Sequence, residues 1–372
     1  MQKRDAIEDS KATGNHDGRI AGENRMKKMK RWMCEILVGL AVLGTLCGCG
    51  TRQKLPARKT DGKIKIGVSV YDQYDAFVSE LMQDLNNQVL SAKSGEKQDI
   101  VLEVYNASQS QTKQNEQVRS MIDADFDVLC VNLVDRTAPA EVINAARNAD
   151  VPIIFFNREL VEDDLQRWDK LFYVGANAFE SGTMQGELAA EAIQNGTVDR
   201  NGDGAIQYIV LEGEAGHQDA IARSESSVNR MLELGVKLDR LTYAIANWNR
   251  AQAKTQMDKI IRQYGADIEL VLANNDEMAL GAIDAFEASD LSKAQWPLIF
   301  GIDGTEAGLS AVRDGKLAAT IYNDAEGQAA AIFQMAHHLA LDEPLSDLHL
   351  VGDKYIRLPY EKVTRENVLE FK

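Results

Sequence analysis

Cysteine is scarce in this sequence and unevenly placed. The 372 residues contain four cysteines, and three of them (Cys34, Cys47 and Cys49) lie close to the start of the chain. The fourth, Cys130, lies in the apolar run 128–131, where a lone thiol can form no internal disulfide and is typical of a small core residue. No Cys and His residues stand at a zinc-binding spacing, so the sequence predicts neither a disulfide framework nor a zinc site.

Basic residues are also in short supply. Lys and Arg number 41 against 57 Asp and Glu, which gives a net charge of −16, and the acidic excess is spread along the chain. Such a surface repels nucleic acid, so we expect no nucleic-acid partner. A chain of this length is too long for one ordinary core, which predicts two domains.

A hydrophobic run of membrane-spanning length is missing. The apolar stretch 36–43 falls short of the roughly 20 residues that a spanning helix needs. It follows the basic cluster 26–31 and ends in small residues, which is typical of an export signal. The segment 46–49 (LCGC) resembles a bacterial lipobox and implies that Cys49 carries a lipid.

An uncleaved anchor or a plainly secreted form is the alternative to lipidation. Residues 1–25 carry no pattern, which leaves open that translation starts at Met26. Without residues 1–48 the chain keeps 32 basic and 51 acidic residues, a net charge of −19. Residues 49–62 are polar and basic, and we interpret them as a flexible tether.

From residue 63 onward, strand-like apolar runs alternate with stretches of helical periodicity. The strand-like runs are 64–71, 100–105, 128–134, 153–156, 172–174, 206–211, 270–273 and 298–300. The helix-like stretches include 77–90, 114–122, 138–149, 181–193 and 251–264. Regular alternation with nearly all-apolar strands predicts an α/β fold of parallel sheets covered by helices on both faces.

Ligands of such sheets bind beyond the carboxyl ends of the strands. The residues that follow the predicted strands are rich in Asn and Asp and poor in Ser, His and Cys. Amides and carboxylates can each reach two adjacent hydroxyls of a sugar. Asn and Asp also favour turns and helix N-caps, so each residue taken alone has that simpler interpretation.

A set of short motifs is spread over nearly the whole chain after residue 62. They are Asn157 behind its strand, 216–223 (GHQDAIAR), 247–254 (NWNRAQAK), 273–276 (ANND), 67–71 (GVSVY), 155–159 (FFNRE) and 173–175 (YVG). Together they resemble the bacterial galactose/glucose-binding proteins, the periplasmic receptors of the methylgalactoside transport system. The resemblance implies a two-lobed periplasmic-binding-protein fold of type I, with three hinge crossovers near Ala176, Tyr322 and Arg357.

The resemblance further implies the division into lobes and the sugar ligands. The lobes are 63–175 plus 323–356 and 176–322 plus 357–372. The hydrogen-bonding residues are Asp75, Asn157, His217, Asp219, Arg223, Asn275, Asp303 and Asn323, while Phe77 and Trp248 stack on the two faces of the sugar. The carboxylate matching Asp75 accepts from the 4-hydroxyl of either epimer, so glucose and galactose should both fit.

The residues alone leave simpler interpretations open for part of this set. An isolated Trp248 is more often a core or edge residue, and His217 with Asp219 is consistent with helix capping. Arg223 lies four residues after Asp219, which is the spacing of a surface ion pair.

The segment 199–207 fits the ligand pattern of an EF-hand calcium loop. Oxygen donors at loop positions 1, 3, 5, 7 and 9 come from Asp199, Asn201, Asp203, the Ala205 carbonyl and Gln207, with Gly204 at the turn. Position 12 is Val210 instead of Glu, and the resemblance implies that Glu269 supplies the missing carboxylate. The sequence predicts a structural Ca²⁺ site, with a plain Asp/Asn/Gly turn as the alternative.

The sequence as a whole predicts a receptor, not an enzyme. It would bind a hexose by hinge closure and deliver it to an ABC permease, as a lipid-anchored monomer outside the cytoplasmic membrane. A chemoreceptor or sensor kinase is a second possible partner. A transcription repressor would need a DNA-binding helix pair where the export signal lies, and a glycosidase would need two catalytic carboxylates flanking one bond.

Overall fold

The computed structural model describes residues 62–93, 99–196 and 198–371. The export signal, Cys49 and almost all of the predicted tether lie outside these residues. Within the described part of the chain, no helix is both long enough and apolar enough to cross a membrane.

Strands and helices alternate along the chain as the sequence predicts. The strands are β1 Lys63–Val70, β2 Asp99–Asn106, β3 Val128–Val131, β4 Ile153–Phe156, β5 Leu171–Gly175, β6 Ile206–Glu212, β7 Leu238–Ile245, β8 Leu270–Ala273, β9 Leu298–Phe300, β10 Ala319–Asn323, β11 Tyr355–Arg357 and β12 Tyr360–Thr364. The helices are α1 Ala76–Lys93, α2 Gln111–Asp123, α3 Ala140–Ala149, α4 Glu162–Leu165, α5 Ala178–Asn195, α6 Gln218–Glu233, α7 Arg250–Tyr264, α8 Asp276–Glu287, α9 Glu306–Arg313 and α10 Ala325–Ala340.

The strands form two six-stranded sheets. The first has the order β11-β5-β4-β3-β1-β2 and the second β12-β10-β9-β8-β6-β7. Every neighbouring pair is parallel except β10 and β12. We call the first sheet with its helices the first lobe, and the second sheet with its helices the second lobe.

The sheets are parallel because their strands are buried on both faces. All four residues of β3 and all four of β4 are buried. Within β3, Cys130 packs into the apolar cluster on one face of the sheet, while Leu129 and Val131 pack into the cluster on the other. Burial raises the pKa of the Cys130 thiol to about 12, which agrees with a core residue and not with a nucleophile.

Three chain crossings join the lobes. The first lies between β5 and α5, since α5 packs on α6 of the second lobe. The second lies between β10 and α10, since α10 returns to pack on α1. The third separates β11 in the first sheet from β12 in the second. The predicted α/β fold with two lobes and three crossings is confirmed, while the residue boundaries of the lobes stay a prediction.

Candidate functional site

The carboxyl ends of strands from both sheets surround one cavity, which we call the cleft. It is lined by Tyr71, Asp75, Phe77, Asn157, Arg158, His217, Asp219, Arg223, Trp248, Asn275 and Asp303. The structure therefore brings together nine of the ten predicted sugar-binding residues. The tenth, Asn323, is buried beside the cleft, where its backbone N–H donates to the carbonyl of Asp303 at 2.9 Å and its Oδ1 accepts from Gln328 at 2.7 Å. The roles of these ten residues in binding a ligand stay a prediction.

The first lobe presents its polar groups in fixed orientations. Asp75 caps α1, because its Oδ1 accepts from the backbone N–H of Val78 at 3.0 Å. Asn157 follows β4, and its Oδ1 accepts from Nδ2 of Asn132 at 3.0 Å. Phe77, the second residue of α1, is 4% exposed and contributes an apolar ring to the cleft.

On the second lobe, Trp248 and His217 form the opposite wall. Their rings meet edge-on with centroids 5.1 Å apart. Gly213 leaves room for the indole, since a Cβ at this position would lie 2.1 Å from Cζ2 of Trp248. Asn275 holds the same loop from behind, donating from Nδ2 to the carbonyl of Trp248 at 3.3 Å.

His217 caps α6 and lines the cleft at the same time. Its Nδ1 accepts from the backbone N–H of Asp219 at 3.1 Å. Burial, together with the nearby Arg158 and Arg223 charges, lowers the pKa of His217 to about 2. The ring is therefore neutral, and because Nδ1 is an acceptor, Nε2 carries the proton and can donate to a ligand.

Arg223 lies at the floor of the cleft with only 4% exposure, so it is not part of a surface ion pair. It donates from Nη1 to the carbonyl of Asn274 at 2.7 Å and approaches Asp303 Oδ1 at 3.5 Å. Its third nitrogen, Nε, is buried without a hydrogen-bond partner. A buried donor without a partner is costly, so this N–H is a candidate donor to a ligand.

Acidic groups face this arginine. Burial raises the pKa of both Asp219 and Asp303, and the Arg223 charge opposes the shift at each. Within the described residues, the Asp219 carboxylate accepts no hydrogen bond. The cleft thus contains a donor, Nε of Arg223, and an acceptor, the Asp219 carboxylate, that have no hydrogen-bond partner among the described residues.

Tyr71 and Arg158 line the cleft but were not among the predicted site residues. Both follow strands, at the end of β1 and directly after Asn157, so the rule of reading residues behind strands could have found them.

Asp276, also outside the predicted set, is fully buried beneath Asn275. It accepts from Oγ1 of Thr320 at 2.6 Å and from the backbone N–H of Thr305 at 2.9 Å. It therefore ties the segment that follows Asp303 to β10. Burial raises the pKa of Asp276 to about 7, although these hydrogen bonds oppose the shift.

The predicted calcium residues lie in the loop between α5 and β6, except for Gln207 in β6 and Glu269 just before β8. Asp199 accepts from the backbone N–H groups of Gly202 and Gly204 at 2.7 and 2.9 Å, which folds the loop around its carboxylate. The backbone N–H of Ala205 donates to Asp203 and holds the pKa of that carboxyl below its ordinary value.

The remaining predicted ligands adjoin this loop. Glu269 is 1% exposed and accepts from the backbone N–H groups of Arg200 and Gln207. The amides of Asn201 and Gln207 both donate to Asp203 Oδ2. Across the described ranges, no group of three or more His, Cys, Asp or Glu side chains could hold a metal by itself. The donor set fits Ca²⁺ in its chemistry, because the amide and backbone oxygens that complete it are hard ligands.

Comparison with known proteins agrees with this architecture. A family model described as a periplasmic binding protein domain matches residues 66–344. The chain belongs to the periplasmic binding protein family.

Two relatives of this periplasmic binding protein are named for the ligands that they bind. It is 30% identical to the D-galactose/methyl-galactoside binding periplasmic protein MglB of Haemophilus influenzae, over 82% of this chain and 91% of the relative. It is also 30% identical to a putative rhizopine-binding protein of Rhizobium meliloti, over 73% of this chain and 82% of the relative.

Among solved structures, an ABC transporter solute binding protein from Bacillus halodurans with bound myo-inositol matches with a TM-score of 0.71 and 30% identity. The match covers 84% of this chain and 98% of that chain. This similarity agrees with the periplasmic binding protein fold described above.

Proposed function

We propose that this protein captures galactose and glucose in the cleft and delivers them to an ABC permease, without chemistry on the sugar. The observation that carries the proposal is the pair of partnerless groups, Nε of Arg223 and the carboxylate of Asp219, beside two aromatic rings. A pyranose offers acceptors and donors along its edge and weakly positive C–H groups on its faces. The name of the Haemophilus relative supports a galactose-type ligand.

A cyclitol is the second candidate, because the Bacillus halodurans relative holds myo-inositol. The two ligands differ at the pyranose ring oxygen, which can only accept a hydrogen bond. A cyclitol has a C–H bearing a hydroxyl at the same place in the ring. Nε of Arg223 can donate to the ring oxygen of a hexose or to a hydroxyl of a cyclitol, so binding measurements must distinguish the two ligands.

Isothermal titration with galactose, glucose, methyl-galactoside, ribose and myo-inositol tests the proposal. We expect a hexose to bind most tightly, and Trp248→Ala to weaken it about 100-fold through loss of the stacking surface. Tyr74→Ala removes a ring that is 83% exposed and should leave binding unchanged. Tighter binding of myo-inositol than of either hexose would replace the hexose assignment with the cyclitol.

We propose further that residues 199–207 and Glu269 hold a structural Ca²⁺ through Asp199, Asn201, Asp203, the Ala205 carbonyl, Gln207 and Glu269. The calcium would pin the loop that leads into β6, while Glu269 would anchor it to β8. Calcium should raise the melting temperature of the metal-free protein, and Asp199→Ala should abolish the rise. Asp290→Ala, at an exposed position after α8, is the matched control. An equal rise in the Asp199 variant would place the effect elsewhere.

The remaining predicted features complete the proposed role. Lipid attachment at Cys49 would hold the protein at the outer face of the cytoplasmic membrane. The protein would act there as a monomer. A chemoreceptor or sensor kinase would respond to the same closed form as the permease. Labelling with a radioactive fatty acid, lost in Cys49→Ala, tests the anchor.

A further inference from the structure

One ion pair joins the two lobes at the edge of the cleft. Arg158 follows β4 of the first lobe, and Glu214 follows β6 of the second. Nη2 of Arg158 donates to Oε1 of Glu214 at 3.0 Å, with the side chains 4% and 30% exposed. A pair that spans the lobes can form only when they are close together.

The arginine is held in place before it reaches the second lobe. Its Nη1 donates to the carbonyl of Val134 at 3.0 Å. Its Cζ lies 3.5 Å from the centroid of the Tyr71 ring, which places the guanidinium over the aromatic face. Because both contacts lie in the first lobe, only the bond to Glu214 depends on closure.

Tyr71 extends this arrangement to the site. Its hydroxyl donates to Oδ2 of Asp75 at 2.5 Å. Burial and the Asp75 charge raise the pKa of Tyr71, so the hydroxyl keeps its proton and remains the donor. The other oxygen of Asp75 accepts from the backbone N–H of Val78. Groups of the first lobe therefore orient both carboxylate oxygens of Asp75, a predicted sugar-binding residue.

We propose that Tyr71, Arg158 and Glu214 couple sugar binding to lobe closure. Tyr71 is a positioning residue for Asp75, and the Arg158–Glu214 pair holds the closed form around the ligand. The inference rests on the proposed function. Among the described residues, hydrogen bonds across the cleft also run from the Glu306 N–H to Glu80 Oε1 at 3.3 Å and from Arg136 Nη1 to Gln218 Oε1 at 3.5 Å, but neither joins two opposite charges.

A pair that forms after the sugar has entered should slow escape more than entry. We expect Glu214→Gln to raise the sugar dissociation rate about tenfold and to leave the association rate nearly unchanged. Stopped-flow fluorescence of Trp248 gives both rates. Glu287→Gln removes one charge of the Glu287–Lys316 pair, which lies within the second lobe, and is the matched control. An unchanged dissociation rate in Glu214→Gln, or an equal rise in Glu287→Gln, would overturn the coupling.

The positioning role of Tyr71 is tested by a double-variant comparison. Tyr71→Phe keeps the ring under Arg158 and removes only the hydroxyl, so affinity should fall about tenfold. If the hydroxyl acts through Asp75, Tyr71→Phe should have no further effect in protein that already carries Asp75→Asn. Tyr74→Phe, at the exposed tyrosine of the same loop, is the control. Additive losses in the double variant would contradict the positioning role.

The sugar panel separates the two proposals. If wild type binds ribose or myo-inositol but neither hexose, the hexose assignment fails and the rate comparison is repeated with the ligand that binds. If no ligand of the panel binds folded wild type, both proposals fall.

Discussion

Three residues that line the cleft have strained backbone conformations. Asn157, Trp248 and Asp303 have φ angles of 59°, 60° and 119°, in a region that favours glycine. Such conformations cost of the order of 1–3 kcal/mol each and persist where the surroundings impose them. Here they turn an amide, an indole and a carboxylate toward one cavity. The chain thus gives up some stability to hold its polar groups in place before a ligand arrives.

A first prediction at this scale concerns Asp276. Because its pKa is raised to about 7, the folded protein keeps a proton that the unfolded chain has lost above the ordinary pKa of 3.8. The free energy of unfolding therefore falls as pH rises from about 4 to 7, by up to about 1.4 kcal/mol per pH unit from this group.

Urea unfolding of wild type and Asp276→Asn from pH 4.5 to 8 measures this contribution. The asparagine variant loses the slope due to this group, so the stability of wild type relative to the variant should decline with pH. A constant difference across the range would show that Asp276 is ionised throughout.

A second prediction concerns His217. With its pKa lowered to about 2, the ring should stay neutral with the proton on Nε2 from pH 5 to 8. Nitrogen-15 NMR of the imidazole, assigned with His217→Gln, reports both the charge and the tautomer. Movement of its ring signals with a midpoint near 6 would contradict the buried, neutral ring.

Single residues show where the sequence suffices and where it does not. The polar residues behind the strands indicate the cleft, since parallel strands bring their carboxyl ends together. Nothing local to Asp276 distinguishes it from a helix-start aspartate, because its role comes from Thr305 and Thr320, which are distant in sequence. The role of Arg158 likewise depends on its ion pair with Glu214, which is distant in sequence.

At the scale of elements, helix α6 carries two site residues and is positioned by α5. Gly182 makes the close approach possible, because a Cβ there would lie 2.6 Å from the carbonyl oxygen and 2.8 Å from the Cα of Arg223. We expect Gly182→Ala to lower the free energy of unfolding by about 1–3 kcal/mol and to weaken sugar binding as α6 shifts. Chemical denaturation and titration measure the two effects.

Thr183→Ala, the next residue of α5, is the control because its half-buried side chain donates to the carbonyl of Phe179 in the same helix. An affinity equal to wild type in Gly182→Ala would show that α6 moves without disturbing Asp219 and Arg223.

Hydrophobic periodicity predicts most helices and strands, and its errors lie at the ends of these elements. The apolar run 153–156 coincides with β4, because a strand buried on both faces is uniformly apolar. Helix α5 is longer than the predicted 181–193 and begins at Ala178, where Asn177 accepts from the N–H of Phe179. Hydrophobic spacing does not report such a cap, since the capping residue is polar.

At the scale of the whole molecule, a ligand that contacts both lobes should favour the closed form. We expect a binding hexose to reduce the radius of gyration in small-angle X-ray scattering, because a ligand held between the lobes favours the form in which they lie close together. A sugar that does not bind in titration is the control. Full binding with an unchanged radius would mean that the free protein is already closed.

The two-lobed fold follows from the sequence through the alternation of elements and the family resemblance. The positions of the chain crossings between the lobes cannot be predicted in the same way. The crossings involve short segments without periodicity, such as the two residues between β11 and β12. Their placement depends on pairing of β11 with β5 and of β12 with β10, contacts between segments far apart in the chain.

These last two strands also set the timing of folding. A ribosome delivers β11 and β12 after every other strand, and each supplies an edge of a different sheet. Neither sheet is complete until β11 and β12 have been made, so both lobes stay incompletely folded until then. A chain that completes its fold late stays unfolded for longer, which favours threading through a translocation channel.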